Sequence, residues 1–204
     1  MIEAGLLVIA KDPRPGYGKT RLCPPCRPEQ AAHLAAAALA DTLDVVDATP
    51  ARRRVLVLDG APLRWRRPGL EIIPQRGAGL AARLANAFAD VGGPALLVGM
   101  DTPQLSAELL AEGLAALERH DAVLGPALDG GYWSVGLRTA DAAAFAGVPM
   151  STGHTFARQC RRFAELGLHT HNQPPLRDVD TIADAHAVAS LVPGSRFART
   201  LEAL

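Results

Sequence analysis

The chain has 204 residues, 49% of them hydrophobic and 21% charged, which is enough apolar surface for one packed core and too much for a disordered chain. Its 21 lysines and arginines balance 21 acids, so no net field draws it towards nucleic acid or an anionic membrane, and small molecules are the expected partners. No stretch approaches the roughly 18 apolar residues of a membrane span, and Met1-Ile2-Glu3-Ala4 lacks a basic leader pattern, which predicts a cytoplasmic protein.

Gly5–Ala10 is a short apolar run ended by a Pro- and Gly-rich segment, the pattern of a strand buried on both faces. Pro28-Glu29-Gln30 then opens an alanine-rich helix to about Val46, with proline and an acid at its start. The alternation repeats with strands at Arg54–Asp59 and Leu70–Ile73, a helix over Leu80–Asp90, a buried strand at Ala95–Gly99 and a helix over Ser106–Arg119 capped by Ser106. Ala122–Gly125 is the next strand. Tyr132–Leu137 alternates with period two, which predicts a less enclosed sheet position. A helix over Phe156–Leu166, a short strand at Leu168–Asn172 and one C-terminal helix after Thr181 complete the chain. Strands alternating with helices give an α/β fold class: one three-layer α/β/α domain over residues 1–204 with a mostly parallel sheet. Ligands of such sheets bind beyond the carboxyl ends of the strands.

After the first strand the chain leaves Ala10 and runs Lys11-Asp12-Pro13-Arg14-Pro15-Gly16-Tyr17-Gly18-Lys19-Thr20-Arg21-Leu22. Lys11 and Lys19 are the two lysines of the chain; the other 19 basic residues are arginine. Gly16 and Gly18 let the backbone approach a ligand, while Lys11, Lys19 and Arg21 supply the charge a phosphate group needs. This is an anion-binding loop but not a Walker A loop, because Pro13 stands five positions before Gly18, where that motif has glycine, and no helix is expected at Thr20. After the third strand, Gln75 can read a base edge, the Gly77–Gly79 turn opens a helix, and Arg83 can reach phosphate. After the fourth strand, Asp101-Thr102-Pro103 puts a carboxylate where an α/β enzyme places a Mg²⁺ ligand. After the fifth, Asp129-Gly130-Gly131-Tyr132 forms a flexible loop able to lie against a sugar or acceptor, with a tight hairpin turn as the alternative. Asp178 and Asp180 share one face of an extended segment, and one of them is a good second ligand.

Cys23-Pro24-Pro25-Cys26 has the spacing of a zinc or redox pair, but no second pair exists and the odd total of three cysteines suits a reducing compartment.

Taken in order, Lys11, Pro15-Gly16, Lys19-Thr20-Arg21-Leu22, Gly99-Met100-Asp101-Thr102-Pro103, Gly125-Pro126, Asp129-Gly130-Gly131-Tyr132, Ser151-Thr152 and Arg177-Asp178-Val179-Asp180-Thr181 resemble the nucleotide-diphospho-sugar transferase superfamily of GT-A fold. Within it the chain is most similar to the bacterial family known as domain of unknown function 2064. The resemblance implies that Lys19 and Arg21 contact nucleotide phosphates, with Ala10, Lys11, Gly16, Gln75, Gly77, Gly79 and Arg83 completing the nucleotide site. It further implies that Asp101, Asp178 and Asp180 hold Mg²⁺ or Mn²⁺, and that Gly130, Gly131, Tyr132, Ser151 and Thr152 meet the acceptor. A Pro-Gly loop replaces the usual Gly-rich opening, and Met100 stands where the paired metal motif of a glycosyltransferase has its first aspartate.

Two reactions fit these residues. In nucleotidyl transfer an acceptor phosphate attacks the α-phosphate of a nucleoside triphosphate while Lys19 and Arg21 neutralise charge. In glycosyl transfer a nucleotide sugar is the donor, and Asp129 acts as general base towards the acceptor. A nucleotide-binding module without catalysis is the third reading. A homodimer is compatible with all three.

Overall fold

The computed structural model describes residues 3–204. Seven strands form one sheet: β1 (Gly5–Lys11), β2 (Arg53–Asp59), β3 (Leu70–Pro74), β4 (Ala95–Val98), β5 (Ala122–Pro126), β6 (Tyr132–Leu137) and β7 (Thr170–Asn172). Their order is β3-β2-β1-β4-β6-β5-β7, and every pairing is parallel except those of β6, which runs antiparallel to both β4 and β5. Six helices accompany them: α1 (Pro28–Ala48), α2 (Gly79–Val91), α3 (Ala107–Ala116), α4 (Thr155–Glu165), α5 (Ile182–Leu191) and α6 (Arg196–Glu202). Among the described residues no helix is long and apolar enough to cross a membrane.

The continuous apolar strands are buried on both sides, as their composition demands. Leu6 and Val8 of β1 pack towards α1 and α3, meeting Leu39, Leu43, Leu110 and Leu114. Leu7 faces the other layer, with Val55 and Val57 of β2 against Leu84 and Phe88 of α2 and Phe163 of α4. The alanine content of α1 also has a packing reason. One of its faces lies on the sheet, while Ala31, Leu34 and Ala38 pack against Val188 of α5 and Phe197 of α6, so small side chains are needed on two sides.

Three sequence expectations need correction. Tyr132–Leu137 is an internal, enclosed strand: Ser134 donates to Gln173 Oε1 at 2.8 Å, and Gly136 leaves room for Leu96 and Val123. Its period-two pattern therefore marks an internally satisfied hydroxyl and a close approach, and solvent is not involved. The chain after Thr181 makes two helices, interrupted at Val192-Pro193-Gly194 because proline removes a helical donor. A single 3₁₀ turn, Thr20–Leu22, does begin after Lys19. Ser106 caps α3 as expected, its hydroxyl accepting from Leu109 N.

Gly125 shows how tightly β5 and β6 are seated, since a Cβ there would lie 2.3 Å from Ser134 Oγ and 2.4 Å from Trp133 Cε2. Gly125→Ala is therefore expected to lower stability by about 1–3 kcal/mol, as overpacking of a closed core does. The check is a urea denaturation curve against the wild-type chain.

Candidate functional site

A cleft of about 670 Å³ opens at the carboxyl ends of β1 to β4. Because β6 is antiparallel, its first residues reach the same edge, and Tyr132 and Trp133 line the cleft beside Leu97 and Ile9. Lysine, arginine and aspartate side chains from three loops and from α2 rim this apolar floor. A pocket at the strand ends of a parallel sheet is the usual ligand position for such folds.

The loop after β1 has two anchors. Arg14 and Tyr17 form a bridge around Pro15-Gly16, with Gly16 and Gly18 at φ +74° and +98°, conformations that favour glycine. Asp12 fixes its start: the carboxylate is 5% exposed and accepts from Trp65 Nε1 at 3.0 Å and Arg64 Nε at 2.9 Å. Burial works against this charge, but Trp65 and Arg64 outweigh it and hold the carboxyl below its ordinary range. The second anchor is Tyr17, whose hydroxyl donates to Asp59 Oδ2 at 3.1 Å.

Lys19 lies at the end of this loop in the left-handed region, φ +51°. Its ammonium is 2.9 Å from Asp101 Oδ1 and 3.3 Å from Asp180 Oδ1, and it donates to Val179 O. Burial disfavours the charge, yet the two carboxylates prevail and raise the pKa above the ordinary lysine value. Arg21 binds the other oxygen of Asp180 at 3.0 Å. Asp180 is brought here by the backbone, since Val179 N donates to Asp101 O at 2.8 Å and the Val179 side chain is buried with Leu22 and Leu34.

Four carboxylates thus surround the loop end. One oxygen from each of Asp129, Asp178 and Asp180 lies within 4.8 Å of the other two. A bridge between Ala127 and Leu176 joins the segments that carry them. Asp178 is pushed up to about 6, by burial first and then by the Asp129 carboxylate, with Asp180 adding to the repulsion. Asp129, expected near the acceptor as a base, therefore stands with the acids expected to hold metal, while Asp101 faces Asp180 across Lys19. Carboxylate oxygens are the donors that Mg²⁺ and Mn²⁺ prefer, so this set fits either ion.

At the far end, Gln75 is fully engaged: Nε2 donates to Ala10 O at 2.7 Å and Val57 O at 3.2 Å, and Oε1 accepts from Arg83 Nη1 at 3.0 Å. Arg83 also binds Asp59 Oδ2 at 2.9 Å, and that bond leads the causes that hold the Asp59 carboxyl below its usual value. Among the expected site residues, Ala10, Lys11, Lys19, Arg21, Gln75, Gly79, Arg83, Asp101, Tyr132, Ser151 and Asp180 line the cleft. Gly16, Gly77, Gly130, Gly131, Thr152, Asp129 and Asp178 do not. Gly77, at φ +116°, is a turn residue packed against Ala82. The expected flexible loop at Gly130-Gly131 is a tight hairpin turn, closed by Ala127 N to Gly131 O at 3.0 Å and crowded by Gly153 O. Thr152 shapes the entry to α4 through Thr155.

Sequence reasoning passed over Asp12, Tyr17 and Asp59. Asp59 carried the same signal as Asp101, an acid at the carboxyl end of a buried strand. Asp12 and Tyr17 sat inside a loop read for its glycines and basic residues.

The family model described as "Uncharacterized protein conserved in bacteria (DUF2064)" matches residues 32–152, more than half of the chain. The chain belongs to this family. No curated protein sequence matches it. Among solved structures, a protein from Desulfovibrio desulfuricans G20, provisionally assigned as a nucleotide-diphospho-sugar transferase, is 27% identical with a TM-score of 0.87, covering 99% of this chain and 94% of that one. Rv0371c of Mycobacterium tuberculosis H37Rv, solved in complex with manganese, is 20% identical with a TM-score of 0.57, covering 92% and 98% of the two chains. CMP:2-keto-3-deoxy-manno-octonic acid synthetase complexed with CTP is 12% identical with a TM-score of 0.61, covering 94% and 98%. The family member described here therefore has the nucleotide-diphospho-sugar transferase fold, a single α/β domain with a mostly parallel sheet.

Two outcomes test this geometry. Asp12→Ala leaves Arg64 and Trp65 without their buried acceptor, costs about 1–3 kcal/mol, and should speed tryptic cleavage after Arg64, the side chain it releases, read by mass spectrometry. Asp178 holds its proton more tightly in the folded than in the unfolded chain, so stability gained by protonation at low pH is lost as pH rises from the ordinary carboxylate range through about 6. In chelator-containing buffer, Asp178→Asn is expected to raise Tm at pH 7 by a few degrees and to change it little at pH 4.

Proposed function

We propose that this protein is a nucleotide-dependent transferase that moves a nucleoside monophosphate from a nucleoside triphosphate to a small phosphorylated acceptor. The observation that carries the reading is the convergence of Lys19 and Arg21 with Asp101 and Asp180 at one end of a cleft whose other end holds Arg83 and Gln75. A triphosphate laid along it meets positive charge near its reacting phosphate, and an apolar floor near Ile9 and Leu97 shields the reaction from water.

An oxygen of the acceptor phosphate attacks the α-phosphorus, the bond from that phosphorus to the bridging oxygen breaks, and pyrophosphate leaves. Lys19 and Arg21 neutralise the charge gathering on the phosphoryl oxygens, which is where most of the rate of such reactions originates. Asp180, with Asp101, Asp178 and Asp129, would hold a divalent cation, Mg²⁺ or Mn²⁺. Bound there, the cation would supply Lewis-acid stabilisation to phosphate oxygens. The synthetase of like fold solved with CTP, and Rv0371c solved with manganese, support the nucleotide and the cation respectively. Met100 leaves Asp101 without an adjacent acid in the segment after β4, which favours nucleotidyl over glycosyl transfer.

Glycosyl transfer from a nucleotide sugar is the second reading, favoured by the name given to the Desulfovibrio protein. Incubation with each nucleoside triphosphate and a panel of phosphorylated acceptors, and separately with nucleotide sugars, separates the two. Pyrophosphate release is expected, whereas free nucleoside diphosphate from a nucleotide sugar would replace this reading with the second. Lys19→Ala should weaken triphosphate binding by tenfold or more, about 1.4 kcal/mol, while replacement of the exposed Arg199 should leave it unchanged. Calorimetric titration in the presence of Mg²⁺ measures both.

A further inference from the structure

Lys19 occupies an oxygen cage. Its ammonium faces three oxygens: it donates to Asp180 Oδ1 and Val179 O and stands 2.9 Å from Asp101 Oδ1, and the side chain is 13% exposed. Two carboxylates and a backbone carbonyl are also a donor set that a hard divalent cation takes. A cation seated on the facing oxygens of Asp101 and Asp180 would stand within a few ångströms of the ammonium, with like charges repelling in a half-buried setting. The two cannot share that place.

We infer that Lys19 is the resident counter-ion of the Asp101 and Asp180 pair, and that it leaves these oxygens for the cleft when a divalent cation takes its position. The inference rests on the nucleotide-transferase reading and gives it an order: Lys19 becomes free to meet phosphate only once the acids have another partner. Two features of the loop suit such an exchange. Asp101 Oδ1 contacts the ammonium at 2.9 Å without the alignment of a hydrogen bond and has no hydrogen-bond partner among the described residues, so this buried oxygen is left to accept a ligand. Next to Lys19, Gly18 at φ +98° has no neighbouring atom within 4 Å of where a Cβ would stand, which leaves the loop room to swing. Nucleotide affinity then depends on the cation in excess of any direct contact between them, because the ammonium is released by the same event.

The lysine content of the chain makes the exchange measurable, since Lys11 and Lys19 are its only two lysines and Lys11 is exposed. The wild-type protein is treated briefly with an amine-acetylating ester in chelator and again in saturating Mn²⁺, and the two lysine peptides are quantified by mass spectrometry. In chelator Lys19 should react much more slowly than Lys11. With Mn²⁺ its rate should rise severalfold while that of Lys11 stays constant. An unchanged or lower Lys19 rate, with Mn²⁺ binding shown by calorimetry, overturns the exchange and leaves the transferase reading standing. No Mn²⁺ binding at all overturns the cation reading and the exchange together. As a second measurement, Lys19→Met should bind Mn²⁺ about tenfold more tightly than wild type in the absence of nucleotide, because a competing charge is gone. Equal or weaker binding would sink the inference. Should that variant fail to fold, the labelling of the wild-type chain decides alone.

Discussion

The contact among Lys19, Asp101 and Asp180 joins three parts of the chain that lie far apart in sequence, and the organisation of the cleft follows from it. The Lys19 charge, largely buried, would be costly there alone, and it is tolerated because the two half-exposed carboxylates stand against it. The backbone is committed to the same arrangement: Val179 N bonds Asp101 O, and Val179 is packed with α1 and the helices after it. The C-terminal helices therefore hold Asp180 in the site as well as covering α1. The loop after β1 is in turn held down at Lys19 by acids that come from other loops of the sheet.

The same loop is braced at its start by Asp12, and in its middle by Tyr17 on Asp59, which also binds Arg83. These bonds link the ends of β1, β2 and β3 into one wall. An anion-binding loop that opens a long helix presents backbone N–H groups and a helix dipole to phosphate. Here only a single 3₁₀ turn follows, so in the proposed phosphate site the charge would come mainly from side chains, which buried partners hold in position. That explains why so many of the acids near the cleft are paired with arginine or lysine.

Much of the fold was legible in the sequence because the strands are buried on both faces and the helices are not. β1, β4 and β5 read as apolar runs, and the cap at Ser106 fell where expected. The reading of β6 failed for a physical reason: Ser134 and Gly136 look like exposed positions until their partners, Gln173 and the neighbouring strands, are known. The candidate site was legible to the extent that it lies at strand ends, which is why Lys19, Arg21, Gln75, Arg83, Asp101 and Asp180 could be named before any coordinates. Asp12 and Tyr17 were not, because their importance rests on Trp65, Arg64 and Asp59, which no local pattern connects to them.

The N-terminal segment by itself determined that a glycine-containing basic loop follows a buried strand, and hence which edge of the sheet carries the groups an anion would need, since strand burial and loop chemistry are local properties. The grouping of the acids was decided by the tertiary structure. Asp129 joined Asp178 and Asp180 through a bridge between segments almost fifty residues apart, and Asp101 was set against Lys19. Spacing along the chain carries no information about such pairings, because crossover connections and the one antiparallel strand determine which loop ends meet in space.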